Sequence, residues 1–291
     1  MAKKEQTRER SRSLFSLVVP KLLTLVVFLS LGLSAWVFWD SIDGWVEPLH
    51  HYIENRDVVT LEAKMTPEEV MEVHRQELLG IGTKRVFQGV TEKYYPYLLL
   101  DVKYTEDDKT REGVLLWSLV DGEAVLNCDT WETTRGLRDC LQNYATQQDF
   151  RILHTLAKNK GVMSLDALQA TMQVDKNTLD SWLEKAKQKH LIAQQGNQVF
   201  LHFENPKLLL YPQTIFSKPL ASKTIDYQQR VAKTFSRSEI LTMSHAAFGS
   251  DFGIRREREI FLPVYTIHVQ NPDGSIYSTD WSALTGMRMQ L

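Results

Sequence analysis

The strongest constraint on this chain is an uncharged apolar run from Leu22 to Trp39. Eighteen such residues are the lower end of what spans a bilayer. Counted back to Leu14, past Pro20 and Lys21, the run lengthens to 26, and Lys21 is long enough to snorkel toward headgroups. Trp36 and Trp39 close it, where interfacial aromatics collect. The expectation is a transmembrane signal anchor over 14–40, with the lipid bilayer as its partner. Lys3, Lys4, Arg8, Arg10 and Arg12 precede the run, whereas Ser41 to Thr60 carries only Arg56 beside Asp43, Glu47, Glu54 and Asp57. The positive-inside rule then makes residues 1–13 a basic cytoplasmic tail. It places the body on the other side of a bacterial inner membrane, in the periplasm. A cleaved signal peptide with Leu33-Ser34-Ala35 as its site is the competing reading.

Charge is nearly balanced, at net −2 with a pI near 6.5, which gives no general attraction for nucleic acid or anionic lipid. The two cysteines, Cys128 and Cys140, are a candidate disulfide in an oxidising compartment. Closing so short a loop would stabilise the fold by roughly 3 kcal/mol in the chain-entropy model. Two separate buried thiols are the alternative. Their spacing fits no zinc pattern.

Residues 41–64 read as a juxtamembrane tether. The pattern beyond predicts an α+β chain. Thr66-Pro67-Glu68-Glu69 is a capping box with proline at the first helical position. Strands are expected over 85–91, 97–104 and 114–120, then a turn at Asp121-Gly122 and a return strand over 124–127. This is the first unit, 65–145, with a helix over 134–145. Residues 224–291 repeat the order, with Ser236-Arg237-Ser238-Glu239 as a second capping box and strands over 253–259, 261–270 and 276–284. Pro96 and Val102 match Pro263 and Val269 in spacing, and Trp117-Ser118 matches Trp281-Ser282. The expected fold class is an N-terminal transmembrane helix followed by two helix-plus-antiparallel-meander units, the second a possible repeat of the first.

Between the units, 147–203 reads as helix, short strand, helix, turn, helix and hairpin. Phe150, Ile152, Leu153 and Leu156 line the first helix, Leu165, Leu168 and Met172 the second, and Leu179, Trp182, Leu183 and Ala186 the third. This order resembles the winged-helix family, over about 57 of 291 residues. The resemblance implies a winged-helix-like module at 146–205. Pro206, Pro212 and Pro219 make 206–223 an extended linker. Thr224 is expected to cap a further helix over 225–234.

The winged-helix resemblance implies a DNA-reading third helix, which would use Lys176, Lys185, Lys187 and Lys189. Asp175, Asp180 and Glu184 share that helix, and the wing tip Gly196-Asn197-Gln198 is uncharged, which argues against nucleic acid as a partner. His50, His51 and Glu54, and His74 with Glu77, lack a further ligand at a metal-site spacing. No nucleotide, metal or hydrolase motif is present, so no cofactor is expected. Tyr94, Tyr95, Trp117 and Trp281 are candidate interface aromatics if exposed, and core residues if not. The expected function is non-catalytic docking or assembly with an unidentified membrane or envelope protein. The alternatives are a membrane-tethered winged-helix regulator and an envelope enzyme with its site between the two repeated units.

Overall fold

The computed structural model describes residues 57–289, apart from 81, 83, 107, 204–205 and 209–210. The expected tail, anchor and most of the tether lie outside the described residues. Among those described, no helix is long and apolar enough to cross a membrane. The transmembrane element of the expected fold class therefore has no counterpart among the described residues.

Two long strands dominate the described residues. Strand β2 runs Val86–Glu106 and β10 runs Gly253–Gln270. They pair antiparallel from Val86 opposite Gln270 to Lys103 opposite Gly253, with Tyr95 opposite Leu262 near the centre. Each then takes its own hairpin partner, β3 (Lys109–Ser118) on β2 and β11 (Ile276–Ser282) on β10. The two strands expected on either side of Pro96 are thus one. A proline lacks the N–H that a ladder needs, so it fits a long strand only where that donor is not required. At Pro96 the outer neighbour of β2 changes from the segment around Arg230 to β3. At Pro263 the neighbour of β10 changes from β1 (Asp57–Leu61) to β11.

The two halves are related by a pseudo-twofold through the β2–β10 pair. Leu98 faces Trp117 as Tyr265 faces Trp281. Ser118 N–H donates to Glu123 O and Ser282 N–H to Met287 O, both at 2.9 Å. Leu119 N–H donates to Pro96 O at 3.0 Å, and Ala283 N–H to Pro263 O at 3.1 Å. Gly122 and Gly286, each four residues after its serine, have φ of +77° and +67°. The parallel bridge of Thr60 with Phe261 matches that of Arg230 with Tyr94.

The helices are exchanged between the halves. Helices α1 (Pro67–Val73) and α2 (Arg75–Leu79) precede β2 but bury Val70 and Leu78 on Tyr265, Ile267 and Trp281 of the other half. Helix α7 (Arg237–Phe248) precedes β10 but packs with Leu98, Leu100 and Trp117. Both capping boxes are formed. The residue before each cap plugs the glycine of the opposite hairpin. A Cβ on Gly286 would lie 2.5 Å from Met65 Sδ, and one on Gly122 would lie 2.7 Å from Phe235 Cε2.

The two expected meander units thus share one sheet. Neither half covers its own hairpin, so burial requires the other half. The result is one eight-stranded sheet in the order β5-β4-β3-β2-β10-β1-β9, with β11 on β10. Strand β4 is Ala124–Asn127, β5 is Glu132–Thr133 and β9 is Leu220–Thr224.

The connection between the halves carries α3 (Leu137–Gln142), α4 (Gln147–Lys158), β6 (Val162–Ser164), α5 (Leu165–Met172), α6 (Lys176–Gln188), β7 (Ile192–Gln195) and β8 (Gln198–Leu201). Its small sheet has the order β6-β8-β7. Phe150, Leu153 and Leu156 of α4 share one apolar cluster with Leu98 and Ile240, so this module is continuous with the main core. The linker then inserts Thr214 between β3 and β4. Its N–H donates to Val114 O and its hydroxyl to Val125 O, both at 2.6 Å. Phe216 and Leu220 cross the opposite sheet face to reach β9. The helix expected over 225–234 is not formed. Thr224 ends β9, which pairs with β1, and only a 3-10 turn at Tyr227–Gln229 follows.

The sheet also separates the cysteines. Cys128 packs with Leu99 and Leu116 on one face, and Cys140 with Leu98 and Leu115 on the other. Both are free and buried, and burial pushes the Cys128 thiol up to about 12 and raises that of Cys140.

His154 on α4 gives the fold an acid sensitivity. Its Nε2 is buried without a hydrogen-bond partner. Burial, and then Lys158, lower its pKa to about 4. The unfolded chain protonates this ring near the ordinary 6.5, so its contribution to stability is whole above that pH and is lost as pH falls toward 4. The expected loss is about 3 kcal/mol. Urea unfolding of the parent protein and His154→Phe at neutral and acid pH measures it. An equal acid loss in both proteins would contradict this assignment.

Candidate functional site

A cleft of about 1010 Å³ opens on the sheet face where the two halves meet. The paired turns after the two Trp-Ser steps flank it, with Asp121 and Glu123 from one half and Thr285 and Met287 from the other. Tyr97, Trp131 and Ser282 also line it, as do Lys160 and Phe203 from the connection between the halves.

Trp131 concentrates two departures from ordinary structure. Its φ is +53°, a left-handed conformation that bulky residues rarely adopt. Its indole N–H is buried without a hydrogen-bond partner. The ring stands edge-on to Tyr97, with centroids 5.5 Å apart. Strain and an unpaired donor persist only where the surroundings enforce them, and such sites cluster at functional positions.

The cleft's carboxylates are mostly committed. Glu123 accepts from Thr134 Oγ1 at 2.6 Å and from the backbone N–H groups of Gly136, Leu137 and Arg138 at 3.0, 3.2 and 3.0 Å. It thereby satisfies the orphan donors at the start of α3. Asp121 accepts the Glu123 N–H at 2.9 Å, and Glu132 is ion-paired with Lys207. Among the cations, Arg288 donates to Tyr277 Oη at 2.7 Å and reaches Glu77 at 3.5 Å. Arg135, Arg138 and Lys160 are exposed and enter no ion pair among the described residues. Asp139 is the one acid of the lining in the same position.

The residues singled out from sequence lie elsewhere. Tyr94, Trp117 and Trp281 are fully buried and Tyr95 is 6 % exposed, so all four fill the core. Alternate residues of β2 and β3 point into clusters on the two sheet faces, Tyr95 into one and Trp117 into the other. Cys128 and Cys140 form no bridge. Of the four lysines assigned to a nucleic-acid surface, Lys176 and Lys185 are exposed. Lys187 is ion-paired with Glu184. Lys189 bonds the buried Asp149 at 2.7 Å and Tyr144 O at 3.0 Å. Among the described residues, no group of three or more His, Cys, Asp or Glu is placed to hold a metal.

Sequence reading missed the cleft because its walls come from both halves and the module between them. One signal was available. Trp117-Ser-Leu-Val-Asp-Gly122 and Trp281-Ser-Ala-Leu-Thr-Gly286 share a Trp-Ser and a glycine at one spacing, and both turns line the cleft. Compared with protein-family models, curated proteins and solved structures, this chain matches none.

Proposed function

We propose that this is a non-catalytic docking protein and that the cleft between its halves receives part of another protein. The commitment of the cleft's carboxylates carries this reading. A carboxylate that accepts four hydrogen bonds, as Glu123 does, has little capacity left to take a proton from a substrate. The lining contains hydroxyls and cations but no histidine or cysteine. Such a site can hold a ligand and has few means of transforming it. A junction between repeated halves is also where an enzyme would place its site, and that is the second reading.

A photo-crosslinking residue at Met287, 54 % exposed in the cleft, tests the first reading. It is expected to give a discrete protein adduct. The same residue at Val73, 68 % exposed and outside the cleft lining, is expected to give none. Equal labelling from both positions would defeat the docking reading. Turnover of a small molecule by the purified protein, blocked by modification at Met287, would establish the enzyme reading instead.

A further inference from the structure

We propose that the cleft binds an acidic peptide segment, one that presents several carboxylates beside apolar side chains. This deepens the docking reading and rests on it. Arg135, just before the N-cap Gly136 of α3, and Arg138, in its first turn, both line the cleft. Lys160, just past the end of α4, lines the same cleft. All three are exposed and outside any ion pair among the described residues; the exposed charges of the lining are five cations, these three with Lys207 and Arg288, against two acids, Glu132 and Asp139, while Asp121 and Glu123 are half-buried and hydrogen-bonded. The local balance therefore favours an anion, although the whole chain is at net −2. Guanidinium forks match carboxylates in geometry, and charge-assisted bonds gain strength beside low-dielectric surface. That surface is present in Trp131, Phe203, Pro206 and Met287, and methionine adapts to varied apolar partners.

The volume, about 1010 Å³, is at the upper end of small-molecule sites and leaves room for a peptide segment. A nucleic-acid strand is the less suitable polyanion. It needs a row of cations along its phosphates. Here only three cations of the lining are outside ion pairs among the described residues, two of them beside the start of α3 and one past the end of α4.

The test uses the full chain and fluorescein-labelled ten-residue peptides of one pattern, with two phenylalanines and the remaining positions Glu, Gln or Lys. The Glu peptide is expected to bind about tenfold tighter than the Gln peptide. Its affinity is expected to fall about fivefold on raising salt from about 50 to about 300 mM. Combined Arg135→Ala, Arg138→Ala and Lys160→Ala is expected to weaken it about tenfold. Combined Arg135→Glu, Arg138→Glu and Lys160→Glu is expected to make the Lys peptide the tighter ligand. All three side chains are exposed, and circular dichroism checks that the variants fold.

Equal binding of the Glu and Gln peptides overturns the inference, and so does a triple alanine variant with unchanged affinity. If that equal binding is lost on Met287→Asp, docking in the cleft stands and only the acidic preference falls. If no peptide binds at about 1 mM, the inference fails, and the crosslinking at Met287 decides separately whether docking fails with it. A ten-residue oligothymidylate bound more tightly than the Glu peptide, through the same cations, overturns the peptide assignment in favour of nucleic acid.

Discussion

Replacing Trp117 by Ala is expected to lower the unfolding free energy by about 4 kcal/mol. The side chain is fully buried in the cluster that joins β2, α7 and the helices of the connection between the halves. Its indole N–H also donates to Gly122 O at 2.7 Å, and removal leaves that carbonyl buried without this donor. Trp117→Phe keeps much of the volume and is expected to cost about half as much. The shape of the transition is as informative as its midpoint. Because α7 covers the first hairpin and α1–α2 the second, neither half can stay folded after losing the other. Urea unfolding of Trp117→Ala followed by circular dichroism should therefore remain one transition, shifted as a whole. Trp281→Ala, at the pseudo-equivalent position, should behave in the same way. A second transition that keeps the parent midpoint would mean that the halves fold separately.

That exchange of helices marks the limit of what the sequence could disclose. The capping boxes at Thr66 and Ser236 are written in four adjacent residues each, and the structure forms both. The order of helices and hairpin across 147–203 is likewise local, since apolar spacing specifies each helix and glycine specifies the turn. The matched prolines and Trp-Ser steps were visible, and they occupy equivalent positions about the β2–β10 pair. What no local pattern carries is the choice of partner. A capped helix before a strand reads the same whether it covers its own hairpin or another. Pro96 reads as a strand break until one knows that the neighbour changes there. Thr224 reads as a cap until β1 arrives to pair with Leu220–Thr224. The cleft belongs to the same class. Its cations beside α3 and α4 and its paired turns meet only after the halves have docked, and Trp131 has no sequence signature for a left-handed backbone.

The last large effect concerns Lys189, a residue that looks like a phosphate contact in sequence and is a structural ion in the fold. Asp149 is 2 % exposed, and its Oδ2 takes the Thr146 N–H at 2.7 Å, the Thr146 hydroxyl at 2.8 Å and Lys189 Nζ at 2.7 Å. It ties the start of α4 to the residue that closes α6. Breaking a buried pair costs more than the pair contributes, because it leaves an uncompensated charge out of water. Lys189→Met is therefore expected to destabilise the protein by about 3 kcal/mol, moderated by the two Thr146 donors that remain. Asp149→Asn in the same chain removes the stranded charge and should recover about half of that loss, so the double-mutant cycle should give a coupling of about 1.5 kcal/mol plus whatever Asp149→Asn costs alone. Lys185→Met, on an exposed turn of α6, should change stability by less than about 0.5 kcal/mol. If Lys189→Met and Lys185→Met unfold alike, Lys189 is a surface charge after all. The order predicted here also guards the reading of any nucleic-acid experiment. Binding lost in Lys189→Met but kept in Lys185→Met would report a damaged module, because only Lys185 can be neutralised without disturbing the junction of α4 and α6.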